Sequence, residues 1–171
     1  MQLKALQFTA LFLLLLVAGL FWGTWFALSR SIEDFSASEF MHIGKIIIKN
    51  VGVPMKIILP ACILFMMLSM GFYPQKNSIA YYMCVTSFVL IIITLYITVG
   101  IVVPIDNEIK GWTLSTIPND WEAIRMRWQF FHSLRTFTAL ASFCGFVTSV
   151  VFFPKNTIDT GGIPRLKNMH Q

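Results

Sequence analysis

Trp121-Glu122-Ala123-Ile124-Arg125-Met126-Arg127-Trp128-Gln129-Phe130-Phe131-His132-Ser133-Leu134-Arg135 runs without a break into an apolar segment, residues 137–153. Trp121, Arg125, Trp128, His132 and Arg135 are spaced four, three, four and three residues apart. That period puts all five on one face of a helix. An ordinary amphipathic helix turns an apolar stripe to its neighbours. This one turns a basic and aromatic stripe, with a titratable histidine, at the edge of a bilayer. Ionisable groups at that depth are costly and face a bundle interior or a water-filled cavity.

The rest of the chain has the same membrane character. Of 171 residues, 56% are hydrophobic and only 12% charged. A soluble domain of this size cannot bury so much apolar surface. Residues 6–28, 53–72, 79–104 and 134–153 each approach the ~20 residues that cross a ~30 Å core. The expected fold is all-α: one integral membrane domain over residues 1–171, a four-helix transmembrane bundle with both termini on one side and two long loops on the other. The run at residues 8–28 exceeds the h-region of a signal peptide and lacks a clean cleavage site, so it reads as a retained helix. Lys and Arg number five on the terminal side and eight on the other. That asymmetry does not fix orientation. Short terminal-side loops and long acid-containing loops opposite lean towards a cell-membrane protein with cytoplasmic termini.

The net charge of +5 comes from residues scattered around the spans. They read as interface anchors contacting membrane lipid, not as a nucleic-acid surface. The tail, residues 155–171, reads as a flexible basic segment on an anionic membrane surface. Cys62, Cys84 and Cys144 have no CxxC spacing and read as small core hydrophobes. Gly19 and Gly23 form a GxxxG pattern, which suggests close helix packing inside the bundle. Pro60 should kink the second span. The connection 29–52 carries Phe35, Phe40, Met41 and Ile46 to Ile48, and reads as a loop with a short interfacial helix. Helix 3 should end at Pro104, leaving Asp106, Asn107 and Glu108 in a loop. Asn119 with Glu122 resembles a capping box opening a helix over residues 120–153. That helix is ~51 Å long at 1.5 Å per residue, so its first turns stand above the membrane.

These assignments converge on one rim. His132 is a natural proton shuttle at neutral pH, and Arg135, one turn on, can hold an anion in a fork. Asn107 offers a donor and an acceptor. Trp121 and Trp128 are surfaces for a planar ligand or for an arginine, Arg125 among them, and Glu108 lies at the same depth. The set suits a planar, hydrophobic, weakly acidic molecule entering from the bilayer. A metal or haem site would draw on His42, His132 and Glu39, but no tight ligand spacing supports it, and no cofactor is expected. A third possibility is a non-catalytic subunit that binds lipid or quinone and docks a partner.

The stretch Pro104-Ile105-Asp106-Asn107-Glu108, followed by Arg127-Trp128 through His132 to Arg135-Thr136, resembles the anthrone oxygenase-like family of small four-helix membrane proteins (domain of unknown function 1772). The shared pattern is a Pro and an Asn after helix 3, then Trp, His four residues on and Arg three further on. Where the family shows a second Asn beside the first, this chain has Asp106 and Glu108 flanking Asn107. The resemblance implies oxidation of an anthrone-like aromatic or quinol-type compound with molecular oxygen and no organic cofactor. His132 would be the base, Arg135 and Asn107 would hold the enolate oxygen, and Trp128 would stack on the ring. This enzymatic reading expects a closed pocket lined by those four residues.

Overall fold

The computed structural model describes residues 2–151. Helix α1, Gln2–Thr24, continues into a π-helical turn, Trp25–Ser29. A short 3-10 turn, Ile32–Asp34, leads to α2, Ala37–Gly71. Helix α3, Ile79–Ile97, passes through a second π turn, Thr98–Val102, into α4, Val103–Gly111. Helix α5 is Trp121–Val151. No strand occurs among the described residues. The chain thus forms four rods long and apolar enough to cross a membrane: Gln2–Ser29, Ala37–Gly71, Ile79–Gly111 and Trp121–Val151. The expectations for the tail and for an exit at Phe153 lie outside the described residues.

The packing is that of a membrane bundle. Phe8, Phe12, Ile57, Val89, Tyr96 and Phe130 point outwards, while Ser69, Ser87, Thr94, Thr136, Ser142 and Ser149 are buried. Lipid tails solvate the outer apolar side chains, so the interior is free to use small and hydroxylated ones. Several hydroxyls return to the carbonyl four residues back, as Ser69 does to Phe65 and Thr94 to Leu90. Others tie α3 to α5. Ser142 Oγ donates to the Ser87 carbonyl at 2.7 Å, and the Thr94 and Thr138 hydroxyls share a bond of 2.9 Å.

Several local expectations are revised. The connection 29–52 is not a loop with its own interfacial helix, because α2 begins at Ala37 and runs through Pro54 and Pro60 without interruption. Its start is fixed by a capping box: Ser36 Oγ accepts from the Glu39 amide and the Glu39 carboxylate accepts from the Ser36 amide. That box stands at Ser36, whereas α5 starts at Trp121 with Asp120 supplying a backbone carbonyl to Ile124. Helix 3 does not stop at Pro104, so Asp106, Asn107 and Glu108 are helical. Pro104 lacks an N–H, and its ring crowds the carbonyl four residues back, that of Gly100. The widened turn at Thr98–Val102 relieves that crowding and lets the helix continue. Gly19 and Gly23 pack against nothing: a Cβ on either would meet no atom within 4 Å. They lie opposite the buried face of Leu14, Val17, Ala18 and Phe21. Cys62 and Cys84 are buried, but Cys144 faces outwards.

Candidate functional site

A cavity of about 760 Å³ lies at the end of the bundle where 30–36 and 112–120 connect the helices. Trp128, His132 and Arg135 reach it from α5, because the four-and-three spacing keeps them on the inner face. Asp106 and Asn107 reach it from α4. The π turn matters here, since one extra residue rotates every later side chain by about 100° around the helix. Helix α2 supplies Lys45, Lys49 and Lys56, and α1 supplies Phe21 and Thr24. The lining is mostly apolar with a few polar groups, and the volume lies within the ~300–1,000 Å³ usual for small-molecule sites.

The cavity is not closed. Val53 and Val99 both line it and remain 65% and 58% exposed. It therefore opens sideways between α2 and the α3–α4 rod.

The polar groups are tightly interlocked. Arg135 donates to His132 Nδ1 from Nε at 3.1 Å and from Nη2 at 2.9 Å. Its guanidinium lies 4.6 Å from the centre of the Phe21 ring. The His132 and Trp128 rings stack at 4.9 Å and 10°, so one face of the indole is already covered. Trp128 Nε1 donates to Asp106 Oδ1 at 2.9 Å. Thr136 Oγ1 holds the His132 carbonyl at 2.7 Å. His132 is 1% exposed, and its Nε2 is buried without a hydrogen-bond partner.

The sequence-selected residues divide into two groups. Trp128, His132, Arg135 and Asn107 all line the cavity, with Asn107 Oδ1 also accepting from Lys110 Nζ at 3.2 Å. Trp121, Arg125 and Glu108 do not line it. Arg125 donates instead from Nη1 to the carbonyls of Ile32, Glu33 and Phe35 at 3.3–3.5 Å, with its guanidinium 4.9 Å from the Trp121 ring centre. It clamps the α1–α2 connection. Trp121 is half-buried against Phe40, which also meets Trp112 and Trp128, and Glu108 is exposed on α4. His42 and Glu39 are exposed, and Glu39 is committed to its cap. Among the described residues no three His, Cys, Asp or Glu side chains are grouped to hold a metal.

Two features escaped the sequence reading. Asp106 was placed at the rim as a loop residue and given no catalytic role, yet it is helical and is the one carboxylate lining the cavity among the described residues. Lys45, Lys49 and Lys56 were hidden because their stretch read partly as loop. Their spacing of four and seven was the available signal, since it places them on one helical face. Lys45 Nζ donates to the Trp112 carbonyl and ties α2 to the second connection.

Fold and cavity together define an all-helical membrane protein with a mostly apolar cavity at one end of its helices. A family model described as anthrone oxygenase matches residues 46–145, more than half the chain, including the α4 and α5 cavity residues and those of α2 from Ile47 onward. The chain belongs to the anthrone oxygenase family. No curated protein and no solved structure gives a match.

Proposed function

We propose that this protein is a membrane oxidoreductase that oxidises a planar, hydrophobic, weakly acidic aromatic compound with molecular oxygen. The observation that carries this reading is His132 Nε2, a buried atom with no hydrogen-bond partner on a residue that lines the cavity. A buried polar atom left unpaired costs ~1–3 kcal/mol unless something else satisfies it. A substrate oxygen seated in the cavity would do so. Arg135 and Asn107 line the same cavity and would share the charge of an enolate. The lysines of α2 favour a substrate that carries or develops negative charge. The sideways opening suits a compound that partitions into lipid. Within this reading the protein works inside a membrane, supported by its four long apolar helices.

The alternative of a non-catalytic docking subunit expects an exposed rim with no enclosed pocket, which the open side of the cavity matches, and His132 and Arg135 satisfied by internal pairs. They do bond to each other, but His132 retains its unpaired Nε2 and sits in a cavity wall. That arrangement favours the enzymatic reading.

The test uses the full chain in lipid nanodiscs with anthrone as substrate, following oxygen consumption and anthraquinone absorbance. Wild-type protein should form anthraquinone as it consumes oxygen. His132→Ala should lower turnover by about 10²–10³, the usual cost of removing one such donor, with an unchanged folded fraction. Anthrone that binds but is never oxidised would return the protein to the docking reading.

A further inference from the structure

Within the proposed function, the tautomer of one ring decides which side chain takes the proton. Arginine only donates hydrogen bonds. Nε and Nη2 of Arg135 both lie within bonding distance of His132 Nδ1, so Nδ1 is the acceptor. A neutral imidazole has one N–H and one bare nitrogen, so the proton sits on Nε2. The opposite tautomer would set an N–H against two N–H donors. A doubly protonated ring would do the same and add a second positive charge beside the guanidinium. His132 Nε2 is therefore an unpaired hydrogen-bond donor beside the cavity, and the basic nitrogen of the ring is occupied.

Asp106 supplies what His132 lacks. It is half-buried and, among the described residues, is the only carboxylate that lines the cavity. The Trp128 indole N–H fixes Oδ1, and no described residue donates to Oδ2. The same indole stacks on His132, so a single side chain sets the spacing between carboxylate and imidazole.

We infer that Asp106 takes the proton from the substrate, while His132 Nε2–H and Arg135 stabilise the oxygen on which negative charge develops. In an anthrone the C–H bond of the ring methylene breaks and its proton passes to Asp106 Oδ2. The electron pair delocalises onto the ring carbonyl as an enolate, which accepts from His132 Nε2. Dissolved oxygen is the oxidant. It adds at the former methylene carbon to give a peroxide anion, which recovers the proton from Asp106 and becomes a hydroperoxide. Loss of water then leaves a carbonyl, so one CH₂ and one O₂ give one C=O and one H₂O. The oxyanion donor and the base thus come from different helices, α5 and α4.

Asp106→Asn and His132→Gln separate this assignment from a histidine base. Asparagine still accepts from Trp128 but cannot take a proton, and glutamine still donates an N–H. The first readout is anaerobic NMR, following deuterium exchange into the methylene of anthrone in D₂O, which reports proton removal without oxidation. The second is aerobic anthraquinone formation. Asp106→Asn should lose at least about 100-fold in both, the usual contribution of a general base, while anthrone still quenches tryptophan fluorescence to the wild-type extent. His132→Gln should keep roughly a tenth of the exchange rate, because a weaker donor remains. Asp106→Glu should retain measurable exchange, and it carries the test if Asp106→Asn does not fold. Wild-type exchange in Asp106→Asn, or none in a folded Asp106→Glu, overturns the assignment and leaves the oxidoreductase reading standing. A wild-type protein that neither binds anthrone nor drives its exchange overturns both.

Discussion

Arg135 donates twice to Nδ1 of His132, three residues earlier on the same helix face. The pair does not depend on a ligand, so the imidazole is oriented before a substrate arrives. Lysine cannot reproduce it, because a single ammonium lacks the planar fork. Arg135→Lys should lower kcat at least about tenfold with little change in the folded fraction. Nitrogen-15 spectra of labelled histidine should show His132 protonated at Nε2 in the wild type, and a shifted tautomer balance in the variant. Wild-type turnover in Arg135→Lys would remove the fork from the mechanism.

The α2 lysines predict a charge-selective site. Lys49 and Lys56 are exposed residues that line the cavity, so each contributes only the ~0.2–1 kcal/mol of a solvated charge. Lys49→Ala and Lys56→Ala should each raise KM for an acidic, phenol-bearing substrate by up to about fivefold. KM for a neutral analogue should stay constant, and the difference should shrink in high salt. Equal effects on charged and neutral compounds would assign these lysines to lipid headgroups.

A third prediction concerns the α3–α5 seam. A Cβ on Gly145 would lie 2.5 Å from Ser87 Oγ, too close for the present packing. The Ser87 hydroxyl donates to the Met83 carbonyl and would have to turn away. Gly145→Ala should destabilise the detergent-solubilised protein by about 1–2 kcal/mol, the usual range for overpacking. Ser87→Ala added to it should recover most of the loss, since the clashing oxygen is gone. Thermal unfolding of the two single variants and the double variant measures this coupling. Additive losses would mean that the helices shift rather than the hydroxyl.

Much of the architecture was legible because lipid imposes it. Four long apolar runs can satisfy their backbone only as helices, and the inner stripe of α5 kept its period through the structure. Trp128, His132, Arg135 and Asn107 were found by that period and by family resemblance. Trp121 and Arg125 share the same face but sit a turn or more beyond the cavity, where the stripe becomes a clamp on the α1–α2 connection. Sequence spacing fixes a direction around the helix and says little about depth along it. Asp106 and the α2 lysines were misread because polar residues beyond an apolar run look like loop. Here the helices continue past the hydrophobic core, and the polar residues are the walls of the site.

The Arg125 clamp also bears on the order in which the protein assembles. Its carbonyl partners at Ile32, Glu33 and Phe35 precede it by 90–93 residues. During synthesis the amino-terminal helices emerge first, so the turn joining α1 to α2 leaves the ribosome long before the side chain that pins it. Until α5 is made, the nascent chain has neither that pin nor the Trp128–His132–Arg135 wall. The cavity wall is therefore completed only when α5 enters the membrane, and a chain interrupted before α5 inserts without Trp128, His132 and Arg135.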